Sequence, residues 1–385
     1  MFFRSKSIEL RQKAVRRGVA RLSSVNAMTR TAEKGKTTNL VAIVTQSVSS
    51  HLVRQLAAEV GFQLSGVTGV GPVPDFDRFR VWVDRGLAGE MGYLADHRAD
   101  IRSDLNHLLP GVRSIISVGM TYGGQAISPG ALGRIAAYAD GEDYHAVIRR
   151  RLEALAERLL EHADFEWRAC VDTAPILERS IAREAGLGWI GKNTCLINQE
   201  SGSFCLLGEL LTTLEIASDP AFDTPPPDRC GTCTRCIDAC PTAAIVSSPQ
   251  GGWELDARLC ISYFTIELHG SVPDEHRTAI GNNVFGCDIC QDVCPWNGRG
   301  AFAAEAGIEV HLEELAVLTR AEFRKRYRHT AVSRAKYSAF LRNVAIAMGN
   351  SGTERFRAPL EQLAASDDPL VAEHARWALN KLSTP

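Results

Sequence analysis

Residues 230 to 241 read Cys-Gly-Thr-Cys-Thr-Arg-Cys-Ile-Asp-Ala-Cys-Pro, which is Cys230-x2-Cys233-x2-Cys236-x3-Cys240-Pro241. In this spacing three cysteines wrap one four-iron cubane, and the fourth, turned away at the start of the next helix, ligates a second one. Cys287, Cys290 and Cys294, followed by Pro295, repeat the end of the pattern, with Val284 where a first cysteine would stand. Two cubanes need eight thiolates and these runs supply seven; Cys260 is the only other cysteine between Cys230 and Cys294. The expected ligand sets are therefore Cys230, Cys233, Cys236 and Cys294 for one 4Fe-4S cluster, and Cys240, Cys260, Cys287 and Cys290 for the other. A zinc block of paired CxxC elements is the alternative, but it would not call for crossing Cys-Pro pairs. A three-iron second cluster, with Cys260 merely buried, stays open. Cys170, Cys195 and Cys205 lie upstream and read as small buried hydrophobes.

Outward from this block, the chain of 385 residues is long enough for two or three domains. No apolar run reaches the ~20 residues of a membrane span, and the low cysteine density outside the block argues against a disulfide framework. Residues 1–38 form a basic extension, with ten Lys/Arg against two Glu in the first 36 positions, which leaves the remainder acidic. It lacks the apolar core of a secretory signal and reads as disordered. An organellar transit peptide or an early start, with Met28 as the true one, are the other readings, and a reducing cytoplasm is the expected compartment. Residues 39–217 alternate helix and strand like an α+β or α/β domain: a helix through Leu52, Leu56 and Val60, strands at Phe62 to Val70 and Ser114 to Tyr122, a helix over Phe76 to Leu94, and a long helix from Tyr144. Pro220 and the run Pro225 to Pro227 mark a linker, so residues 218–300 form the iron-sulfur domain. Residues 301–385 look entirely helical, with one helix entered through Asp368 as N-cap and Pro369, in the manner of a degenerate HEAT-type repeat.

Two cubanes conduct electrons, so chemistry is expected where the conduit ends, in the first domain. It has no G-x-G-x-x-G after a strand, and Asp143-Tyr144-His145 begins an Asp-x-His-x-x-Gly cobalamin motif that Ile148 breaks. Asp172, after an apolar strand in Val171-Asp172-Thr173-Ala174-Pro175, is either a proton donor with a burial-raised pKa or a simple helix N-cap. Between Arg320 and Arg342 eight Lys/Arg stand against Glu322 alone, interleaved with Phe323, Tyr327, Tyr337 and Phe340. That is the footprint of a folded RNA, met by phosphate contacts and base stacking, or a solvated helical face.

The segment around Asp172, the stretch Gly186 to Thr194 (GLGWIGKNT), Cys230 to Pro241, Cys260 to Glu267 and Gly286 to Pro295 together resemble the epoxyqueuosine reductase family, from about residue 39 to the end. The basic extension departs from that pattern. The resemblance implies an α+β protein with a cobalamin-binding α/β domain, a ferredoxin-like domain with two 4Fe-4S clusters and an all-α HEAT-like domain. It implies reduction of the epoxide of epoxyqueuosine at the tRNA wobble position, which leaves the alkene of queuosine and water, with Asp172 as proton donor. Leu94, Asn193, Thr194 and Leu196 are the cobalamin candidates beside Asp172. Arg324, Lys325, Arg326, Arg328, Arg334 and Lys336 are the tRNA candidates. An unidentified low-potential electron donor is expected, no membrane, and action as a monomer. A reductive dehalogenase or a ferredoxin-type carrier would share the clusters, but the first would normally be exported and the second would not need some 180 residues before them.

Overall fold

The β-branched run Ser114–Thr121 forms a strand buried over most of its length (β2). It pairs with Leu64–Gly69 (β1) on one side and Cys205–Thr212 (β6) on the other. Trp167–Cys170 (β3) completes the sheet on the far side of β6, and the pairing is antiparallel at every step. The first region is therefore α+β, and the α/β label expected for it gives way, because no strand of this sheet is joined to a parallel neighbour. In this computed structural model residues 48–123, 133–297 and 308–383 are described. The basic extension expected at 1–38 lies outside them.

Helices cover the sheet. Ser50–Glu59 (α1), capped by Ser49, buries Val53 and Leu56. Tyr144–Leu160 (α3) buries Ile148, Leu152, Leu155 and Leu159. It lies close enough to β6 that a side chain on Gly208 would strike Ile148, 2.6 Å away. The helix expected over Phe76 to Leu94 (α2) ends at Asp84. Gly86 and Gly89 then take left-handed backbone that other residues adopt only at a cost, and Gly89 packs under the ring of Tyr263, whose hydroxyl accepts from the Glu90 amide at 2.9 Å. The expected linker is fastened: Asp219 and Asp223 hold Arg54 at 3.3 and 3.2 Å, and Asp223 also accepts from the Val67 amide.

The C-terminal stretch, expected to be entirely helical, includes a short strand, Ile308–Val310, whose backbone bonds are met by antiparallel pairing with Gly133–Ile135; helices follow it. Arg320–Tyr327 (α5) opens with a Thr319–Glu322 capping box. Tyr337–Asn350 (α6) is buried on nearly every face, and Pro369–Leu382 (α7) begins on an Asp368 cap. Arg342 is fully buried and spends its guanidinium on the carbonyls of Leu268, Gly270 and Phe264. Beside it, Asn343 bonds the carbonyls of Thr265 and Val284, both at 2.9 Å. These two residues anchor α6 to the segment that carries Cys260, and one apolar core runs from Val53 and Leu152 through Phe285 to Phe340 and Val344. No described helix is long and apolar enough to cross a membrane.

Candidate redox and proton-transfer site

The cysteines fall into two groups. Cys236 has Cys294, Cys230 and Cys233 as electrostatic neighbours, and Cys294 in turn has Cys230 and Cys233. Cys287 neighbours Cys260 and Cys240, and Cys290 neighbours Cys195, Cys287 and Cys260 and, from the first group, Cys236. A cavity of about 170 Å³ is lined by Cys230, Cys233, Cys236 and Cys294 together with Asn193 and Trp296. Among the described residues no three metal-binding side chains converge as a single ion would require, whereas the thiolates around a cubane stand farther apart. Eight thiols gathered in this way are a donor set of the kind that two four-thiolate clusters need. Burial pushes the Cys236 thiol up to about 11 and that of Cys287 to about 12, so binding iron there releases protons.

A hairpin of Trp189–Ile190 (β4) and Leu196–Ile197 (β5) grips the first group. Lys192 Nζ donates to the carbonyls of Gly231 and Cys233 at 2.7 and 3.0 Å. Asn193 Oδ1 accepts from the Cys195 amide at 3.2 Å, while its Nδ2 is buried with no partner. Asn193, expected at cobalamin, thus belongs to the cysteine cavity, because the hairpin folds over the 230–236 loop. Leu196, also expected there, buries its side chain among Ala182, Ala185 and Leu187, which leaves only its backbone for a ligand. Cys195, read from sequence as a plain hydrophobe, lies between the two cysteine groups, with Cys294, Cys260 and Cys236 as neighbours.

Asp172 is the centre of a second constellation. Its backbone is left-handed, φ +43°, a strained state for a non-glycine residue. Its Oδ2 accepts from His145 Nε2 at 2.9 Å and from Arg334 at 2.8 Å. Arg334 reaches on to Glu267 at 2.9 Å, and His145 Nδ1 lies 2.6 Å from Asp143. The N-cap reading of Asp172 fails: the helix Glu178–Glu184 (α4) has no side-chain cap, and Glu178 instead accepts a bond from the Asp172 amide. The expected rise in pKa is also corrected. Burial works to raise it, but the His145 hydrogen bond and the Arg334 charge hold the Asp172 carboxyl below the usual carboxylate range. Glu178, half-buried and bonded to the Asp172 amide, is pushed up to about 8 by desolvation and by the Asp172 charge.

The remaining candidates flank this centre. Tyr93, next to Leu94, senses Glu267, Arg334 and Asp172, and the more deeply buried Tyr138 and Tyr144 both sense Arg334 and Asp172. Thr194, with φ +61°, takes Arg179 on its carbonyl and, at 3.3 Å, on its hydroxyl. Arg179, which holds Thr194, follows Glu178 directly in the chain. His145, Glu178 and Glu267 went unassigned in the sequence reading, although Asp143-Tyr144-His145 was the signal that could have found the first.

Of the basic stripe, Arg324, Lys325, Arg326, Arg328 and Lys336 are exposed. Arg334 is not part of that free face, since it is spent on Asp172 and Glu267. The aromatics are corrected too: Phe323, Tyr327, Tyr337 and Phe340 pack on one another with centroids 4.9 to 5.8 Å apart. Phe323, Tyr327 and Phe340 are buried and offer no face to a base. Their spacing follows the helical core rather than a binding surface.

Comparison with known proteins agrees with this arrangement. Residues 229–297 match the family described as a 4Fe-4S double cluster binding domain, and residues 102–173 the family described as epoxyqueuosine reductase QueG, DUF1730. The epoxyqueuosine reductase of Xanthomonas campestris is 43% identical over 343 residues, which cover 85% of this chain and 94% of that protein. The epoxyqueuosine reductase of Escherichia coli K12 is 37% identical over 341 residues, covering 85% and 88%. A crystal structure of epoxyqueuosine reductase with an epoxyqueuosine-modified tRNA-Tyr stem loop superposes with TM-score 0.77 at 28% identity, covering 87% of this chain and 90% of that one. A Bacillus subtilis epoxyqueuosine reductase, described with its catalytic aspartate loop swung out of the active site, gives 0.74 at 28% identity, with 86% and 90% covered.

Proposed function

This chain belongs to the epoxyqueuosine reductase family, and from that premise we propose that it reduces the epoxide of epoxyqueuosine in the anticodon loop of tRNA to the alkene of queuosine, in the cytoplasm and as a monomer. The observation that carries the reading is the pairing of two four-cysteine groups with an aspartate held among His145, Arg334 and Glu178. The two four-cysteine groups would hold 4Fe-4S clusters, which when bound would supply single electrons from a low-potential donor. Cobalamin, when bound, supplies a low-valent metal able to cleave a carbon–oxygen bond. What supports its presence is left-handed, strained backbone at both Asp172 and Thr194, a feature that concentrates at ligand sites.

The chain's own part is proton delivery and substrate capture. An epoxide oxygen leaves well only when protonated, and Asp172, ionised at rest between His145 and Arg334, would deliver that proton after taking one up, a role worth typically ~10²–10⁴-fold in rate. The exposed cations of α5, with Lys336, hold tRNA phosphates. Reconstituted, reduced protein incubated with epoxyqueuosine-bearing tRNA should yield queuosine on nucleoside chromatography, and only when cobalamin is supplied. Binding of cobalamin without conversion would favour a reductase of another substrate. Absence of cobalamin binding would reduce the reading to an electron carrier.

A further inference from the structure

We propose that His145, clamped between Asp143 and Asp172, stores a proton and relays it through Asp172 to the departing oxygen, and so supplies protons that Asp172 alone does not hold. This rests on the deoxygenation reading above. Removing an epoxide oxygen breaks two carbon–oxygen bonds, forms the alkene and releases water. The balance takes two electrons, delivered singly by a low-potential donor through the clusters, and two protons.

A single carboxyl carries one proton at most, and this one is flanked by two cations on the same oxygen. Of its partners, Arg334 does not release a proton in the working range, whereas imidazole does. Both ring nitrogens of His145 face carboxylates, Asp143 at 2.6 Å and Asp172 at 2.9 Å, an arrangement that holds the doubly protonated ring. Asp143 is itself fixed, because the same oxygen caps α3 by accepting from the His145 amide at 3.1 Å. The ring lies stacked on Tyr144 with centroids 4.1 Å apart.

The charged groups facing His145 come from three further elements. Asp172 and Glu178 approach from the turn before α4 and from its start, and Arg334 from the segment between α5 and α6. Burial opposes the imidazolium, but the Asp172 and Asp143 hydrogen bonds raise its pKa above the ordinary value.

Transfer from Nε2 to Oδ2 leaves neutral imidazole and a neutral Asp172 carboxyl. A half-turn about the Asp172 χ2 torsion, which has broad two-fold wells, presents that proton outward. The His145 side chain is 19% exposed, so the ring recharges from solvent before the second delivery. His145 acts through Asp172 and is a positioning and relay residue.

The test is single-turnover queuosine formation by reduced, cofactor-loaded protein, measured against pH. Wild type should slow on the alkaline side as His145 loses its proton. His145→Gln, which keeps an N–H for Asp172 but cannot store a proton, should be at least ~10²-fold slower, should lose that alkaline limb, and should be partly rescued by added imidazole. Asp143→Asn retains the helix cap and should move the alkaline limb to lower pH. A Gln variant at wild-type rate overturns the inference, as does a slow one with an unchanged pH profile and no response to imidazole. A wild-type protein that forms no queuosine overturns instead the functional reading beneath it.

Discussion

At the scale of single residues, Asp172 owes its ionisation to two partners that the chain delivers from far away: His145 is 27 residues distant and Arg334 is 162. Both donate to one carboxylate oxygen, and together they outweigh the desolvation that would otherwise favour the neutral acid. Cys260 is proposed as a ligand on a different ground, the need of two cubanes for eight thiolates, and the fold brings it beside Cys240 and Cys287. Replacing Cys260 with Ala should lower the iron content toward half of the roughly eight atoms that two 4Fe-4S clusters contain. Iron analysis and EPR check this, and full iron content with an unchanged spectrum would remove Cys260 from the ligand set. Counting thiolates needs no geometry, which is why Cys260 could be proposed as a ligand from the sequence alone. The sign of the Asp172 shift was not, because the motif around it is contiguous while its cationic partners are not.

At the scale of elements, helix α5 separates what the aromatics and the cations do. Phe323 and Tyr327 fill the core while Arg324, Lys325, Arg326 and Arg328 stay in solvent, so the tRNA contact proposed for this face would rest on charge. Converting Arg324, Arg326 and Arg328 to Glu should weaken tRNA binding and flatten its salt dependence, by up to about 0.9 in log–log slope for each phosphate no longer neutralised. Iron content should be untouched. Equal affinity at low salt would move the RNA surface elsewhere. Helix α7 carries a pH-dependent clamp: His374 Nδ1 donates to the Leu370 carbonyl at 2.7 Å, and Nε2 accepts from the Val272 amide at 3.2 Å. Burial lowers its pKa from the ordinary 6.5 to about 4. The unfolded chain then binds the extra proton first, so this stabilisation is present above pH ~6.5 and is lost as pH falls through about 4. Urea midpoints should decline between neutral pH and pH ~4.5, and His374→Gln, less stable at neutral pH, should decline less. Parallel curves for the two proteins would show that His374 does not set the slope.

Across the whole molecule, cysteine spacing, the strands at 64–69 and 114–121 and the capped terminal helix were legible because each is specified within a dozen residues. The antiparallel order of the central sheet was not, because strand pairing depends on partners such as β2 and β6, some ninety residues apart. Nor was the passage of one core through all three stretches, which depends on α6 and the buried anchors Arg342 and Asn343. That continuity brings Arg334 from the helical end against Asp172, so the C-terminal helical stretch and this carboxylate share a hydrogen-bond network. Epoxide opening through Asp172 is the step on which the functional reading stands. It is tested by comparing wild type with Asp172→Asn, matched for iron and cobalamin content, by nucleoside chromatography of epoxyqueuosine-bearing tRNA after reduction. The Asn variant, which keeps shape but has no acidic proton, should form queuosine at least ~10²-fold more slowly. Conversion by the loaded Asn variant at close to the wild-type rate would remove Asp172 from the role of proton donor.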